Sequence, residues 1–321
     1  MTGTKVLITG CTGFIGRYLV EQLILNQDFD VTAIVRPGAA WDWPKNSGES
    51  RVKLVRADLS NPYAVRLPLA EYDALINLVG PRSSAEGAQW ETNVEYVRNL
   101  LILVRRVPVK RVIHFSSISV YGLPKSSLPV NESFSLTPRD WYGITKVLGE
   151  RMLEEFNRET SIPVVILRPS WVVGYGSHLL DKHLFHAFSS GFRIVMHLGT
   201  PLNIVYVRDV ANVAILAAQS RTEGLRTYII NALQRWSFDD FLREIDRATV
   251  RPKVPVVLPK ALVGVLARRF GFLNFILSDA FFSPERAKDE LGFVSQYDLA
   301  AMVKETLTLR ALAKTKRDAI D

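Results

Sequence analysis

Residues 4–9, Thr-Lys-Val-Leu-Ile-Thr, are a mostly apolar run of strand length. They lead into Gly10-Cys11-Thr12-Gly13-Phe14-Ile15-Gly16 and then a helical pattern from Arg17 to Leu25. No other stretch restricts the fold as much. Glycines between a buried strand and a helix let the backbone approach a pyrophosphate. The helix amino terminus adds unpaired N–H groups and a partial positive charge. Gly10, Gly13 and Gly16 are a spacing variant of the G-x-G-x-x-G dinucleotide pattern. A glycine triplet alone says little, and its place between the first strand and the first helix gives it weight.

A second strand, Val31 to Val35, ends at Arg36, about twenty residues beyond the last glycine, where an acidic residue would accept the adenosine ribose hydroxyls of NAD. An arginine there can instead pair with a 2′-phosphate. The sequence therefore favours NADP(H), with NAD(H) as the alternative; the plainer account of Arg36 is a solvated charge at a strand end. After a loop rich in Trp, Pro, Gly and Ser (37–50), a third strand, Val52 to Arg56, runs into Ala57-Asp58-Leu59. The Asp58 carboxylate can accept from an adenine amino group or simply form a turn.

A fourth strand, Ala74 to Val79, ends at Gly80, and a long helix is expected over 86–106. The fifth strand, Arg111 to Phe115, delivers Ser116 and Ser117, and the sixth, Val164 to Leu167, ends at Arg168-Pro169-Ser170. This alternation predicts a Rossmann-type, doubly wound α/β sheet whose ligands bind at the carboxyl ends of the strands.

Between the last two strands, a helix expected over 139–159 carries Tyr142-Gly143-Ile144-Thr145-Lys146. Positions i and i+4 share a helix face, so the phenol and the ammonium point into one volume. A nearby cation lowers the pKa of a phenol and suits it to proton transfer near neutrality. A packed tyrosine beside a solvated lysine would give the same spacing without any chemistry.

Beyond Ser170 the alternation loosens. Short strands are expected near Ile204–Tyr206 and Tyr228–Ile230, with helices over 238–249, 283–291 and 297–313. The resulting division is a dinucleotide-binding domain over 1–170, to which 207–231 returns, and a smaller, mainly helical substrate-binding lobe from 171–206 and 232–315. One cysteine precludes a disulfide framework within the chain, and the amino terminus lacks the plan of a signal peptide, so a cytoplasmic setting is expected. The net charge of +8 comes from scattered basic residues with short pairs such as Arg105-Arg106 and Arg268-Arg269, which argues against nucleic acid as a partner. His178, Asp181, His183 and His186 match no defensible metal-ligand spacing, and no metal is expected. Leu258–Ala267 and Phe270–Leu277 are apolar, but Lys260, Arg268 and Arg269 interrupt the run a membrane span needs, leaving a buried helix or contact with a membrane surface.

With the glycine loop, Ser117 and the Tyr142–Lys146 pair placed, the chain resembles the short-chain dehydrogenase/reductase superfamily, in its extended branch of epimerases, dehydratases and reductases. The matching pieces include Asp58-Leu59, Asn77-Leu78-Val79-Gly80, Thr92-Asn93-Val94, Ser116 to Gly122, Leu167-Arg168-Pro169, Val207 to Ala211 and Ala287 to Phe293. The resemblance implies that Tyr142 is the acid/base and that Lys146 holds the nicotinamide ribose and depresses the tyrosine pKa. It implies that Ser117 binds the reacting oxygen and that Asn93 supports Lys146 through water. Gly10, Thr12, Gly13, Phe14, Ile15 and Gly16 would cradle the pyrophosphate, with Arg36, Asp58, Leu59, Leu78, Val79, Gly80 and Pro169 completing the cofactor site. A homodimer through the two long helices is the assembly the family implies.

Departures from the family pattern narrow the chemistry. Ile118 and Ser119 stand where sugar-nucleotide dehydratases carry Asp and Glu, so elimination of water is not expected. Leu202 stands where many sugar-nucleotide enzymes of the branch place a diphosphate-binding arginine, although Arg82, Arg193 or Arg235 offer substitutes. The carboxyl-terminal lobe is similar to those of the hydroxysteroid-dehydrogenase-like and dihydroflavonol-reductase-like members. The expected activity is NADP(H)-dependent interconversion of a ketone and a secondary alcohol on a small-molecule substrate. A nucleotide-sugar 4-epimerase or ketoreductase is the alternative, and a non-catalytic dinucleotide-binding regulator is the alternative from another class.

Overall fold

The structure, a computed structural model, describes residues 3–26, 28–40, 52–68, 71–81, 83–124, 126, 128–177, 192–195, 200–248, 254–257, 259, 262 and 278–318. The centre is a seven-stranded, wholly parallel sheet. In chain order its strands are β1 (Thr4–Thr9), β2 (Phe29–Val35), β3 (Val52–Arg56), β4 (Ala74–Asn77), β5 (Val112–Phe115), β6 (Val164–Pro169) and a late strand, Leu225–Ile230. Across the sheet they run β3, β2, β1, β4, β5, β6 and then the late strand. The order reverses between β1 and β4, which opens a crevice at their carboxyl ends.

Both faces of the central strands are covered, which is why they read as nearly unbroken apolar runs. Successive side chains alternate between faces. Val6 and Ile8 of β1 pack with helix α1 (Phe14–Leu25), while Leu7 joins Leu75, Val112 and Ile166 on the other side. That second layer is one long helical stretch and its neighbour. The stretch comprises α2 (Glu86–Trp90), a π-helical turn (Glu91–Glu95) and α3 (Tyr96–Val104), and α4 (Trp141–Thr160) lies beside it. The expected helices over 86–106 and 139–159 are these two.

The rest of the chain departs further from its local pattern. A helix, α5 (Val207–Gln219), follows short strands β7 (Trp171–Val173), β8 (Phe192–Val195), β9 (Pro201–Leu202) and β10 (Ile204–Tyr206), and packs with α1. The late strand, β11, then pairs with β6. Strand β12 (Trp236–Ser237) pairs with β9, and β13 (Val254–Val257) with β8. Helices α6 (Phe238–Ala248), α7 (Glu285–Leu291) and α8 (Leu299–Asp318) complete the described structure. No helix among the described residues is long and apolar enough to cross a membrane. The histidine cluster at 178–186 and nearly all of the apolar stretch 258–277 lie outside the described residues.

Candidate active site

The glycine loop is held by contacts that leave no room for side chains. Gly10 adopts φ +78°, and its carbonyl accepts the Gly13 N–H at 3.0 Å. A Cβ on Gly10 would lie 2.6 Å from the Leu78 carbonyl carbon, and one on Gly16 would lie 2.3 Å from the Gly10 carbonyl oxygen. The turn, the first turn of α1 and the end of β4 are therefore in backbone contact, which brings Leu78 and Val79 to the loop. Helix α1 starts at Phe14 with Gly13 as its extended cap, and no acidic side chain occupies its first turn. Its amino terminus keeps its positive end for an anion. Phe14 leaves the loop to pack edge-on against Tyr18, with ring centroids 6.0 Å apart.

Cys11 is buried beneath this loop, and burial raises its thiol to about 11. The desolvation outweighs the hydrogen bonds from the Cys11 and Thr12 backbone, which lower it.

At the far end of the dinucleotide crevice, Arg36 is exposed at the end of β2, in the strand position next to β3. Arg56 ends β3 and donates to the Ala39 carbonyl at 3.2 Å, which ties its guanidinium to the loop after β2. Asp58 is a turn former, its carboxylate accepting the Ser60 N–H at 2.9 Å, and Leu59 is buried in the core with Leu7 and Ile34. Gly80 is exposed beyond β4, and Pro169 ends the buried strand β6.

The proposed reacting groups meet at the carboxyl edge of β5. Ser117 caps a 3-10 turn (Ile118–Tyr121), its hydroxyl accepting the Ser119 N–H at 3.2 Å, and it also hydrogen-bonds the Tyr142 phenol. Asp140 caps α4 by accepting the Gly143 N–H at 2.7 Å, which fixes the helix start two residues before Tyr142. Glycines let α4 press against both neighbours. A Cβ on Gly143 would meet the Ser119 carbonyl oxygen at 2.7 Å, and one on Gly149 would meet that of Asn93 at the same distance.

Lys146 is 3% exposed and donates to the Phe115 carbonyl at 2.9 Å, with its ammonium 5.8 Å from the centre of the Tyr142 ring. Burial lowers it to about 8, and Glu150 acts in the opposite direction. The expected depression of the Tyr142 pKa is not found. Burial raises the phenol to about 12, the Ser117 hydrogen bond opposes this, and Asp140 adds to the rise. Desolvation, which pattern and spacing do not show, is the largest cause of the shift, and Lys146 is not among the groups that oppose it.

Asn93 lies in the π turn, a distortion that often marks functional positions in helices. Its amide donates to the Thr145 hydroxyl at 3.0 Å, and its Oδ1 is buried without a hydrogen-bond partner among the described residues. Ser116 Oγ is in the same condition. Two orphaned polar atoms at this edge, together with a loop that any Cβ would fill, fit a polar dinucleotide lying from the glycine loop to Lys146.

Sequence reasoning missed a polar rung beneath the site. Thr9, Asn77 and His114 stand in register on β1, β4 and β5. The Thr9 hydroxyl donates to Asn77 Oδ1 at 2.9 Å, and Asn77 Nδ2 lies 3.0 Å from His114 Nδ1. The available signal was a polar residue at or near the carboxyl end of each otherwise apolar central strand.

A separate cavity of about 420 Å³ is lined by residues including Thr200, Pro201, Arg235, Asp240 and Phe281, and by none of Ser117, Tyr142 or Lys146. The Arg235 guanidinium lies 4.3 Å from the centre of the Phe281 ring. Arg82 and the side chain of Arg193 lie outside the described residues.

Comparison with known proteins agrees with this geometry. Residues 6–232 match the model of the NAD dependent epimerase/dehydratase family. UDP-glucose 4-epimerase 2 of Oryza sativa subsp. japonica is 30% identical over 347 residues, covering 94% of this chain and 80% of that protein. The 3beta-hydroxysteroid-dehydrogenase/decarboxylase isoform 1 of Arabidopsis thaliana is 24% identical over 343 residues, covering 94% and 78%. In fold, the chain is similar to UDP-N-acetylglucosamine 4-epimerase from Methanobrevibacter ruminantium M1, with a TM-score of 0.77, 18% identity, and coverage of 98% and 100%. The chain belongs to the NAD-dependent epimerase/dehydratase family, within the extended short-chain dehydrogenases/reductases, and is an NAD(P)-dependent enzyme of that type.

Proposed function

We propose that the protein is an NADP(H)-dependent oxidoreductase that interconverts a ketone and a secondary alcohol. The observation that carries this reading is the meeting of Ser117, Tyr142 and Lys146 at one strand edge, on the same crevice as the glycine loop. The bound dinucleotide supplies or accepts the hydride. Ser117 orients the reacting oxygen, and Tyr142 Oη gives or takes its proton. Lys146 would hold the nicotinamide ribose and, when charged, would favour the phenolate. With its phenol raised to about 12, Tyr142 is protonated at neutral pH, the form that gives the proton in the reductive direction.

The choice of NADP(H) over NAD(H) rests on Arg36 with Arg56 beside it, two cations where an adenosine 2′-phosphate is to be held. The substrate would lie between the dinucleotide-binding domain, 1–170 with 207–231, and the lobe formed by 171–206 and 232–315.

Tyr142→Phe should abolish turnover while retaining NADPH binding; a variant with kcat near that of the wild type removes Tyr142 from the role. Arg36→Ala should lose preference for NADPH over NADH in a binding titration, and an unchanged ratio of affinities rules out the phosphate-reading role.

A nucleotide-sugar 4-epimerase is the second reading, favoured by the identity to the rice protein. Arg235 beside the 420 Å³ cavity would then stand in for the arginine absent at Leu202. Mass spectrometry of small molecules released on denaturation separates the two. Tightly held NAD supports the epimerase, and an empty site with strong preference for NADPH supports the reductase.

A further inference from the structure

Tyr142, Lys146 and Glu150 stand at i, i+4 and i+8 on one face of α4. Glu150 is 5% exposed and is clamped at two points by Arg168 of β6, Nε donating to Oε1 at 2.9 Å and Nη2 to Oε2 at 2.5 Å. The same guanidinium donates through Nη1 to the Tyr121 hydroxyl at 2.6 Å and lies 4.9 Å from the centre of the Tyr121 ring. Tyr121 ends the 3-10 turn that Ser117 begins. One arginine thus joins the helix of Tyr142 and Lys146, the turn of Ser117 and the strand that ends at Pro169.

A buried ion pair is a poor stabilising device, because desolvation offsets most of its attraction. We infer that Glu150 and Arg168 are a positioning pair for Lys146, fixing α4 against β6 and presenting a carboxylate one turn beyond the ammonium, so that Lys146 stays charged in a dry site. This rests on the reading of Lys146 as a cofactor-holding and proton-tuning group.

Among the described residues, Glu150 is the carboxylate that acts on Lys146, while Asp140 at the cap of α4 acts on Tyr142. The Phe115 carbonyl accepts from it, and His114 on β5 is kept neutral by burial and by Lys146 itself. Asn93 and Thr145 are uncharged, and the Tyr142 phenol is protonated at neutral pH. Glu150 is the group that opposes the effect of burial on Lys146. Around Glu150 stand Arg168 and Tyr121, with Glu132 also acting on Tyr121. Arg168 engages both carboxylate oxygens and so fixes where the charge of Glu150 stands on the helix face it shares with Lys146.

The test is a pH titration of Lys146 by NMR of the full chain carrying 13Cε-lysine, its signal identified by its loss in Lys146→Met. Glu150→Gln and the double variant Glu150→Gln/Arg168→Met should both lower the Lys146 midpoint by a unit or more, a tenfold change in proton affinity. Glu150→Asp should restore it. The double variant leaves no unpaired guanidinium, so the measurement survives a poorly folded single variant. An unmoved midpoint in the folded double variant overturns the proposal, whatever happens to thermal stability. NADPH affinity, followed by tryptophan fluorescence from pH 6 to 9, should fall with loss of the Lys146 proton, at lower pH in the Gln variants. A moved midpoint with affinity that ignores it upholds the pair's action on Lys146 and refutes Lys146 as a cofactor holder.

Discussion

Replacing Lys146 by Met removes a buried charge while keeping an unbranched side chain of similar reach. Burial holds the Lys146 ammonium at about 8 in the folded protein, against an ordinary 10.5. The unfolded chain therefore binds more protons between those values, and wild-type stability rises with pH across that window. The strain works out at about 3.4 kcal/mol at pH 7 and about 1.4 kcal/mol at pH 9.5, a relief of about 2 kcal/mol. The variant has no such strain to relieve. It does leave the Phe115 carbonyl without its donor, a cost of roughly 1–3 kcal/mol that does not vary with pH. A comparison at one pH mixes the two effects, and the change with pH isolates the first. Urea unfolding of both proteins at pH 7 and pH 9.5 should show the wild type gaining about 2 kcal/mol on the variant. His114, which feels Lys146, titrates well below this range and does not disturb the comparison. A stability difference constant to within about 0.5 kcal/mol, against the roughly 2 kcal/mol expected, would falsify the claim that the folded protein strains this ammonium.

Gly16→Ala should weaken NADPH binding at least tenfold and lower the melting temperature, because its Cβ would stand 2.3 Å from the Gly10 carbonyl oxygen and 2.6 Å from the Cys11 Cα. Gly87→Ala meets nothing within 4 Å on the exposed face of α2, and should stabilise by about 0.5–1 kcal/mol in the same melts. Asp209 is buried, accepts the Gln296 N–H at 3.0 Å, and is raised by burial to about 6 from 3.8. Its folded form binds protons more tightly, so stability is lost as pH rises from about 3.8 through about 6; Asp209→Asn should gain about 2.4 kcal/mol on the wild type between pH 4 and pH 7. Cys11, buried and raised to about 11, should resist iodoacetamide at pH 7.5 until the chain is unfolded, and rapid labelling of the native protein would contradict its burial.

What could be read from sequence was what is local. The strand, glycine turn and helix at 4–25 and the Tyr142–Lys146 helix each combine pattern and chemistry within one element, and each folds where expected. Element ends were less visible. Strand β4 was expected to reach Val79, but its ladder stops at Asn77, whose Oδ1 accepts the Val79 N–H at 3.1 Å and turns the chain. The carboxyl-terminal part was hardest to read, because its placement depends on distant partners. Residues 207–219 carry a family motif and fall in the segment expected to return to the first domain, but no helix is read there from pattern, and the helix they form packs with α1, nearly two hundred residues earlier in the chain. The acidity of Tyr142 was misjudged for the same reason. The cation is four residues away and visible in the sequence, whereas Ser117, which hydrogen-bonds the phenol, and the 3-10 turn against which α4 presses come from some twenty residues earlier in the chain.

The polar rung of Thr9, Asn77 and His114 gives the site a fixed floor. Asn77 Oδ1 already accepts from the Thr9 hydroxyl and the Val79 N–H, so its amide nitrogen must be the group that faces His114. That nitrogen only donates, which requires His114 Nδ1 to be an acceptor and places the imidazole proton on Nε2. Burial and the nearby Lys146 ammonium both disfavour a second proton on the ring. The rung is therefore a chain of neutral groups with one orientation each, running under the glycine loop, across the β1–β4 crevice and to the carbonyl side of β5. The strand at its end supplies the Phe115 carbonyl that holds Lys146. The ammonium of Lys146 is thereby held on β5, and the carboxylate one turn behind it is held by Arg168 of the adjacent strand β6, so neighbouring strands of one sheet set the positions of both.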